Sequence, residues 1–293
     1  MQLEGIHHIT AITGDAPANV DFYVGALGLR MVKKTVNQDD PTVYHLFYAD
    51  ERGSPGADLT FFEYPSARPG RAGDGMVHRI VSRVGSTAAL DFWEARLEGS
   101  ERSEVSLRFS DPEGLDHELV VSASPDPPLI AKAPDIPEQF ALQGFEGVRA
   151  FASNPSNSRP LLADTLGFEG DQLRGDLRGG HYSYDAPPAV DPIPGAGTVH
   201  HVAFASYIDD LDAWQQRVAA AGAQVTPVID RFYFRSIYFR EPSGVLFEIA
   251  TMGPGFGADE DPEHLGERLS LPPKFESRRE ELERTLTPLP NRR

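Results

Sequence analysis

The sequence predicts an α+β protein made of four repeated βαβββ modules paired into two domains. Three observations carry this reading. The same order of elements, one strand, a helix and three strands, recurs near both ends of the 293-residue chain and opens each time on a histidine doublet, "GIHHITAI" at Gly5 and "GTVHHVAFAS" at Gly197. The stretch "FSDPEGLDHE" matches "FREPSGVLFE" position for position, aligning Glu118 with Glu248. The helix exit "VGALGLR" is echoed by "ADTLGFEG". Recurrence at this scale marks a repeated structural unit.

The first module runs over about 5–66. Its opening strand is "GIHHITAI". Asp15 caps a helix with Pro17 just inside it, and Val20, Tyr23, Val24 and Leu27 fall at helical spacing before Gly28 stops the turn. Strands "LRMVKKTV", "TVYHLFYAD" and "ADLTFFEYP" follow, separated by turn residues. The second module, about 76–123, holds "MVHRIVSRV", the helix "ALDFWEARLEG" and "SLRFSDPEGLDHELVV". These make up the N-terminal half, 1–123. A linker over 124–142 follows, with five prolines between Ser124 and Pro137. The C-terminal half, 143–253, holds the third module (about 143–190, with "FEGVRAFAS" and "RPLLADTLGFEG") and the fourth (about 197–253). In the fourth, Leu211, Trp214 and Val218 share one helix face, and "TPVIDRFYF", "SIYFREP" and "VLFEIAT" read as strands. The tail, 254–293, is polar, with a short charged helix whose Leu282 and Leu286 form one apolar face. Such a tail serves as a packing strap or as a cover for a cavity mouth.

Composition limits the function. With 40% apolar residues the chain buries a substantial core. A formal charge of −17 argues against nucleic acid or an anionic membrane as partner. The absence of cysteine excludes disulfides, thiolate zinc sites, iron–sulfur clusters and a cysteine nucleophile, so a bound metal must use histidine and carboxylate. No apolar run is long enough to span a bilayer, and the start "MQLEGIHH" lacks a secretory pattern, so a cytoplasmic enzyme is expected.

An uncharged histidine in an apolar strand needs a partner for each ring nitrogen. Alternation places His8 with Thr10 and His201 with Ala203 on one face. His7 and His200 fall on the bulkier opposite face, suited to packing on the helix. Small neighbours leave room for a cavity, so His8 and His201 are the expected cavity pair.

On the module order, the "LG[LF]" helix exit and the "HH" strand openings, the chain resembles the vicinal oxygen chelate superfamily of glyoxalases, extradiol dioxygenases and antibiotic-binding resistance proteins. More narrowly, "GIHHITAITGDAPANVDFYVGALGLRMVKKTVNQDD", "YHLFYADERGSPGADLTFFEYP", "GTVHHVAFA", "RSIYFREPSGVLFEIATMGPGF" and "LGERLSLPP" resemble the ring-cleaving branch that holds the chlorohydroquinone and methylhydroquinone dioxygenases. The resemblance implies Fe(II) held by His8, His201 and Glu248, with His7, Thr10, His200, Arg231 and Tyr238 around it. It also implies opening of a hydroquinone or catechol ring with both atoms of O2 entering the product. Arg231 then stabilises oxyanions, and Tyr238 or His200 moves protons. Two histidines and one carboxylate leave three adjacent octahedral positions open, which suits this chemistry. Ligands from the first and fourth modules require those modules to pack together, leaving the second and third as a pair. The doublet positions there read His78-Arg79 and Val148-Arg149 and offer no matching ligand.

Two other readings stay open: a glyoxalase-type isomerase or lyase using Zn(II), Ni(II) or Mn(II), and a non-catalytic binder of an aromatic compound or antibiotic. Mn(II) is also an alternative metal for the dioxygenase. Glu63 closes the first module roughly where Glu248 closes the fourth, and a ligating Glu63 would favour the glyoxalase type; its different spacing from the preceding glycine argues against ligation. His45, His117, His181 and His264 read as structural or surface residues, and Glu118, lacking histidine partners, as a relic. The expected partners are a small aromatic substrate and O2; a homo-oligomer is compatible with the sequence.

Overall fold

A computed structural model describes residues 1–290. The chain begins with strand β1 (Ile6–Thr13), helix α1 (Ala16–Val20), β2 (Arg30–Val36), β3 (Tyr44–Ala49) and β4 (Asp58–Glu63). Next come β5 (Val77–Val84), α2 (Thr87–Arg96), β6 (Glu101–Arg102), β7 (Ser106–Ser110) and β8 (Asp116–Val121). After an irregular stretch come β9 (Phe145–Phe151), β10 (Gln172–Arg174) and β11 (Gly179–Asp185). The last group is β12 (Thr198–Ser206), α3 (Leu211–Ala220), β13 (Ile229–Asp230), β14 (Phe234–Arg240) and β15 (Leu246–Pro254), and helix α4 (Arg279–Thr285) lies in the tail.

These strands form two sheets. One has the order β13-β14-β15-β12-β1-β4-β3-β2, the other β10-β11-β9-β5-β8-β7-β6. In each, two repeats meet through an antiparallel pair of first strands, β1 with β12 and β5 with β9. Strands from the two ends of the sequence therefore share one continuous hydrogen-bonded sheet. The larger apolar core covers one side, with Ile9, Val202, Tyr23, Trp93 and Trp214 buried in it. A smaller cluster, including Val32, Phe47, Ala203, Tyr233 and Phe234, lies on the other face of the eight-stranded sheet.

Local chemistry explains the elements. Asp15 accepts the Ala18 amide at the start of α1. The helix then widens into a π-helical turn over Asp21–Ala26, with Leu27 N bonded to Phe22 O and Leu29 N to Tyr23 O. A matching π turn spans Leu161–Leu166 in the third repeat. Both end on a left-handed glycine, Gly28 at φ +69° and Gly167 at φ +86°.

The structure departs from the expected repeat in three places. The third repeat is βαββ, because only five residues separate its π turn from β10, too few to add an edge strand. The expected strand "TPVIDRFYF" pairs only over Ile229–Asp230 before β14 begins. There the Asp230 carboxylate accepts the Phe232 amide, and Phe232 adopts φ +70°, so the chain turns tightly, with Arg231 N bonded across the turn to Phe234 O. The third departure concerns the doublets. The β1–β12 register slips between Ile6 and His8 and again between Thr10 and Ala11, where His201 and Val199 are the partners. Each slip is a β-bulge at the first histidine of a doublet. Ile6 and Ile9, like Val199 and Val202, all lie in the larger core, so both histidines of each doublet fall between two core-facing residues. Strict alternation, which sent His7 and His200 to the helix side, fails at these bulges.

The stretch 124–142 forms no strand. Asp126 fastens it to Arg83 and Arg174, and Ile136 packs against Gly28.

Candidate metal centre

β1, β12 and β15 lie side by side at the middle of the larger sheet and bring together His8, His201 and Glu248, all buried. His8 Nε2 lies 3.2 Å from His201 Nε2 and 3.2 Å from Glu248 Oε2, and His201 Nε2 lies 2.9 Å from the same oxygen. Three ligand atoms at these spacings describe one face of an octahedron with bonds of about 2.1 Å. They are the one group of three or more such side chains among the described residues close enough to share an ion.

The proton positions follow from the partners. His7 Nε2 lies 3.2 Å from the Thr251 carbonyl, which only accepts, so His7 Nε2 carries the proton. Burial, then His8, pushes the His7 pKa down to about 3, so the ring is neutral and its Nδ1 accepts. His8 Nδ1, 2.9 Å away, therefore donates, and His8 Nε2 presents a bare lone pair to the centre. His200 Nδ1 stands 2.8 Å from His201 Nδ1 in the same arrangement, and burial lowers the His200 pKa to about 4. Burial also lowers His201, against the pull of Glu248.

Glu248 has its two oxygens divided. Oε1 accepts a hydrogen bond from Ser236 Oγ. Oε2 is buried and accepts no well-directed hydrogen bond, although two ring nitrogens lie beside it. A carboxylate oxygen and imidazole lone pairs converging without a shared proton make an environment that a cation completes. The residues present fit a divalent ion bound by nitrogen and oxygen.

A cavity opens over this triad. Arg231 and Tyr238 line one side: Arg231 Nε donates to Tyr238 Oη at 3.3 Å, and Nη1 to Asp39 at 3.0 Å. Burial works against the Arg231 charge, but Tyr238 and Asp39 more than offset it, so the guanidinium stays protonated. Burial and Glu248 together raise the Tyr238 phenol above its ordinary value. Thr10 does not line the cavity; its Oγ1 lies 2.7 Å from Thr60 Oγ1 behind the triad. His7 and His200 likewise stand behind His8 and His201.

The register separates Glu63 from the position of Glu248. Ala203, two residues past His201, pairs with Glu248, and Thr10, two past His8, pairs with Thr60. Thr60 therefore occupies the position equivalent to Glu248. Glu63 is buried elsewhere, accepting from Thr287 Oγ1 at 2.8 Å.

His45, expected to be a structural or surface residue, stands in the cavity wall. Its ring lies between those of Phe47 and Phe62, tilted 38° and 47° to them, with centroids 4.0 and 4.4 Å away. Alternation on β3 carries the signal: Tyr44, Leu46 and Tyr48 face the larger core, and His45 falls on the other side with Phe47. Ser236 was missed too; nothing but the cross-strand register marks it. His117 is buried against Tyr23 Oη at 2.9 Å, while His181 and His264 stand near carboxylates outside the cavity.

In the second sheet the equivalent positions are Arg79, Arg149, Glu118 and Asp185, since Val81 pairs with Glu118 and Phe151 with Asp185. Arg149 binds Asp185 through two nitrogens, and Arg79 and Arg108 hold Glu118. Guanidinium groups fill the place a metal would take, so Glu118 is an ion-pair partner.

The residues matched by the family model for the Glyoxalase/Bleomycin resistance protein/Dioxygenase superfamily are 5–101 and 86–249, and the chain belongs to this family. Within it, the chain is 42% identical to MhqO of Bacillus subtilis, a protein named for an inferred ring-cleaving dioxygenase activity, over 97% of this chain and 96% of that one. It is 33% identical to the chlorohydroquinone/hydroquinone 1,2-dioxygenase of Sphingobium indicum, over 97% and 96%. A crystal structure of an inferred dioxygenase from Bacillus subtilis superposes with a TM-score of 0.91 at 40% identity, covering 99% of both chains.

Proposed function

We propose that this protein is an Fe(II)-dependent, extradiol-type dioxygenase that opens the ring of a hydroquinone. The observation that carries the reading is the three-ligand face of His8, His201 and Glu248, with Thr60 where a fourth carboxylate would close it. That threonine argues against the glyoxalase-type alternative, and the full-length likeness to a hydroquinone dioxygenase supports the substrate class.

What Fe(II) supplies when bound is one-electron chemistry that lets dioxygen react with a closed-shell phenol. The chain's own residues do the rest. One carboxylate and two neutral imidazoles leave a net charge near +1, favourable to a phenolate. The Arg231 cation stabilises negative charge developing on ring oxygens. Tyr238 Oη accepts from Arg231, so its own proton is free to pass to a substrate oxygen. Phe47, Phe62 and Phe234 wall the cavity and keep bulk water from the ring. His7 and Ser236 fix the orientation of His8 and Glu248.

The test is oxygen uptake by protein loaded anaerobically with Fe(II) and then given hydroquinones under ¹⁸O2. The reading predicts uptake with both labelled atoms in a ring-opened acid, abolished by a chelator and by Glu248→Ala. Turnover of a thiol hemiacetal with no oxygen uptake would support the isomerase instead. Binding of aromatics that survives chelation, with no turnover, would support a binding protein.

A further inference from the structure

Most polar side chains of the cavity are already committed to protein partners. Asn37 donates to Tyr64 Oη and accepts the Asp39 amide. Gln38 donates to the Arg231 carbonyl, and Tyr233 donates to Asp259. His45 is different. Its Nε2 lies 2.9 Å from Thr60 Oγ1, while its Nδ1 has no hydrogen-bond partner among the described residues. Thr60 continues to Thr10, and the ring is clamped between Phe47 and Phe62, so its orientation is set from three sides.

Position in the sheet gives this nitrogen a task. The triad stands on the central strands, Arg231 and Tyr238 on the β13–β14 side, and His45 on β3 at the opposite side. Phe62 lies 6.4 Å from His201 and 4.4 Å from His45, so the three rings form a row leading away from the triad. A hydroquinone held by one oxygen at the triad carries its second hydroxyl at the far end of the ring. In an aromatic-walled cavity that hydroxyl costs about 1–3 kcal/mol if it finds no partner.

We infer that His45 is a specificity-determining residue whose Nδ1 hydrogen-bonds the ring hydroxyl remote from the triad. The inference rests on the ring-cleaving reading above and adds the group that distinguishes a dihydroxybenzene from a simple phenol. A neutral imidazole suits the role, because either tautomer offers the hydroxyl a partner. Thr60 holds the other nitrogen in both cases.

The experiment compares hydroquinone with p-cresol, in which a methyl group of similar size replaces that hydroxyl. Dissociation constants are measured calorimetrically under argon with Fe(II)-loaded wild type, His45→Phe and His45→Gln. Wild type is expected to bind hydroquinone about tenfold more tightly than p-cresol. His45→Phe should bring the ratio near one by weakening hydroquinone alone, and His45→Gln should restore part of it. An unchanged ratio in both variants overturns the assignment while leaving the ring-cleaving reading intact. If wild type binds neither phenol, the ring-cleaving reading fails, and this assignment with it.

Discussion

His7 and His200 are the residues whose role depends most on geometry that sequence periodicity does not carry. Each hydrogen-bonds the far nitrogen of a histidine facing the centre. Replacing His7 by Ala leaves His8 Nδ1–H without its acceptor and frees the ring to turn. Fe(II) affinity is expected to fall about 10- to 100-fold, with part recovered in His7→Gln, as read by equilibrium competition with a chromogenic chelator. Glu248 and the second histidine of each doublet were legible, because residue type and repeat alignment coincided there. His45 was passed over because it has no counterpart in the repeat. A buried histidine outside the centre contributes to acid stability as well. Burial pushes the His117 pKa down to about 3, against an ordinary value near 6.5. The unfolded chain therefore takes up a proton first as pH falls. The stability that the neutral ring confers is complete above pH 6.5 and is lost between there and pH 3, at up to about 1.4 kcal/mol per pH unit. Thermal midpoints followed over this range should fall less steeply in His117→Gln than in wild type.

At the scale of elements, most strand positions were legible because alternation and turn residues mark them, as in β1, β3 and β15. Bulges are not marked: one extra residue in a ladder changes neither composition nor hydrophobicity, and yet it turned His7 and His200 to the ligand side of the sheet. The failed strand before β14 has a local cause in Asp230 and Phe232. Its consequence reaches the cavity wall, since the turn sets Arg231 over Tyr238. The π turn before Gly28 offers a test of local backbone logic. Gly28 sits at φ +69°, and a Cβ there would meet Ile136 Cδ1 at 2.3 Å. Gly28→Val combines left-handed strain with overlap and should cost about 1–3 kcal/mol in chemical denaturation. Gly170→Val, at φ +67° with nothing near its Cβ, should cost less.

Across the whole molecule, the two ends of the sequence are tied at more places than the metal centre. Lys33 on β2 is fully buried and paired with Asp259 and Glu260 of the tail, with its ammonium 4.7 Å from the Tyr233 ring. The tail's cation-bonded segment thus packs on the first repeat, and no tail residue among those described lines the cavity. Sequence reading left strap and cover undecided, because Lys33 lies more than two hundred residues from its partners. Lys33→Met leaves the buried Glu260 carboxylate with only the more distant Arg268, at 3.9 Å, and should cost about 3 kcal/mol of unfolding free energy. Adding Glu260→Gln should return part of that loss. No helix of the described residues is long and apolar enough to cross a membrane.

The central claim is that His8, His201 and Glu248 hold one metal ion between them. Anomalous diffraction at the iron edge, from crystals grown anaerobically with Fe(II), tests it most directly. The account predicts a single strong peak about 2.0–2.3 Å from His8 Nε2, His201 Nε2 and Glu248 Oε2, and its absence in Glu248→Ala crystals. A peak bound elsewhere, or none at these three atoms in the wild-type crystal, would contradict it.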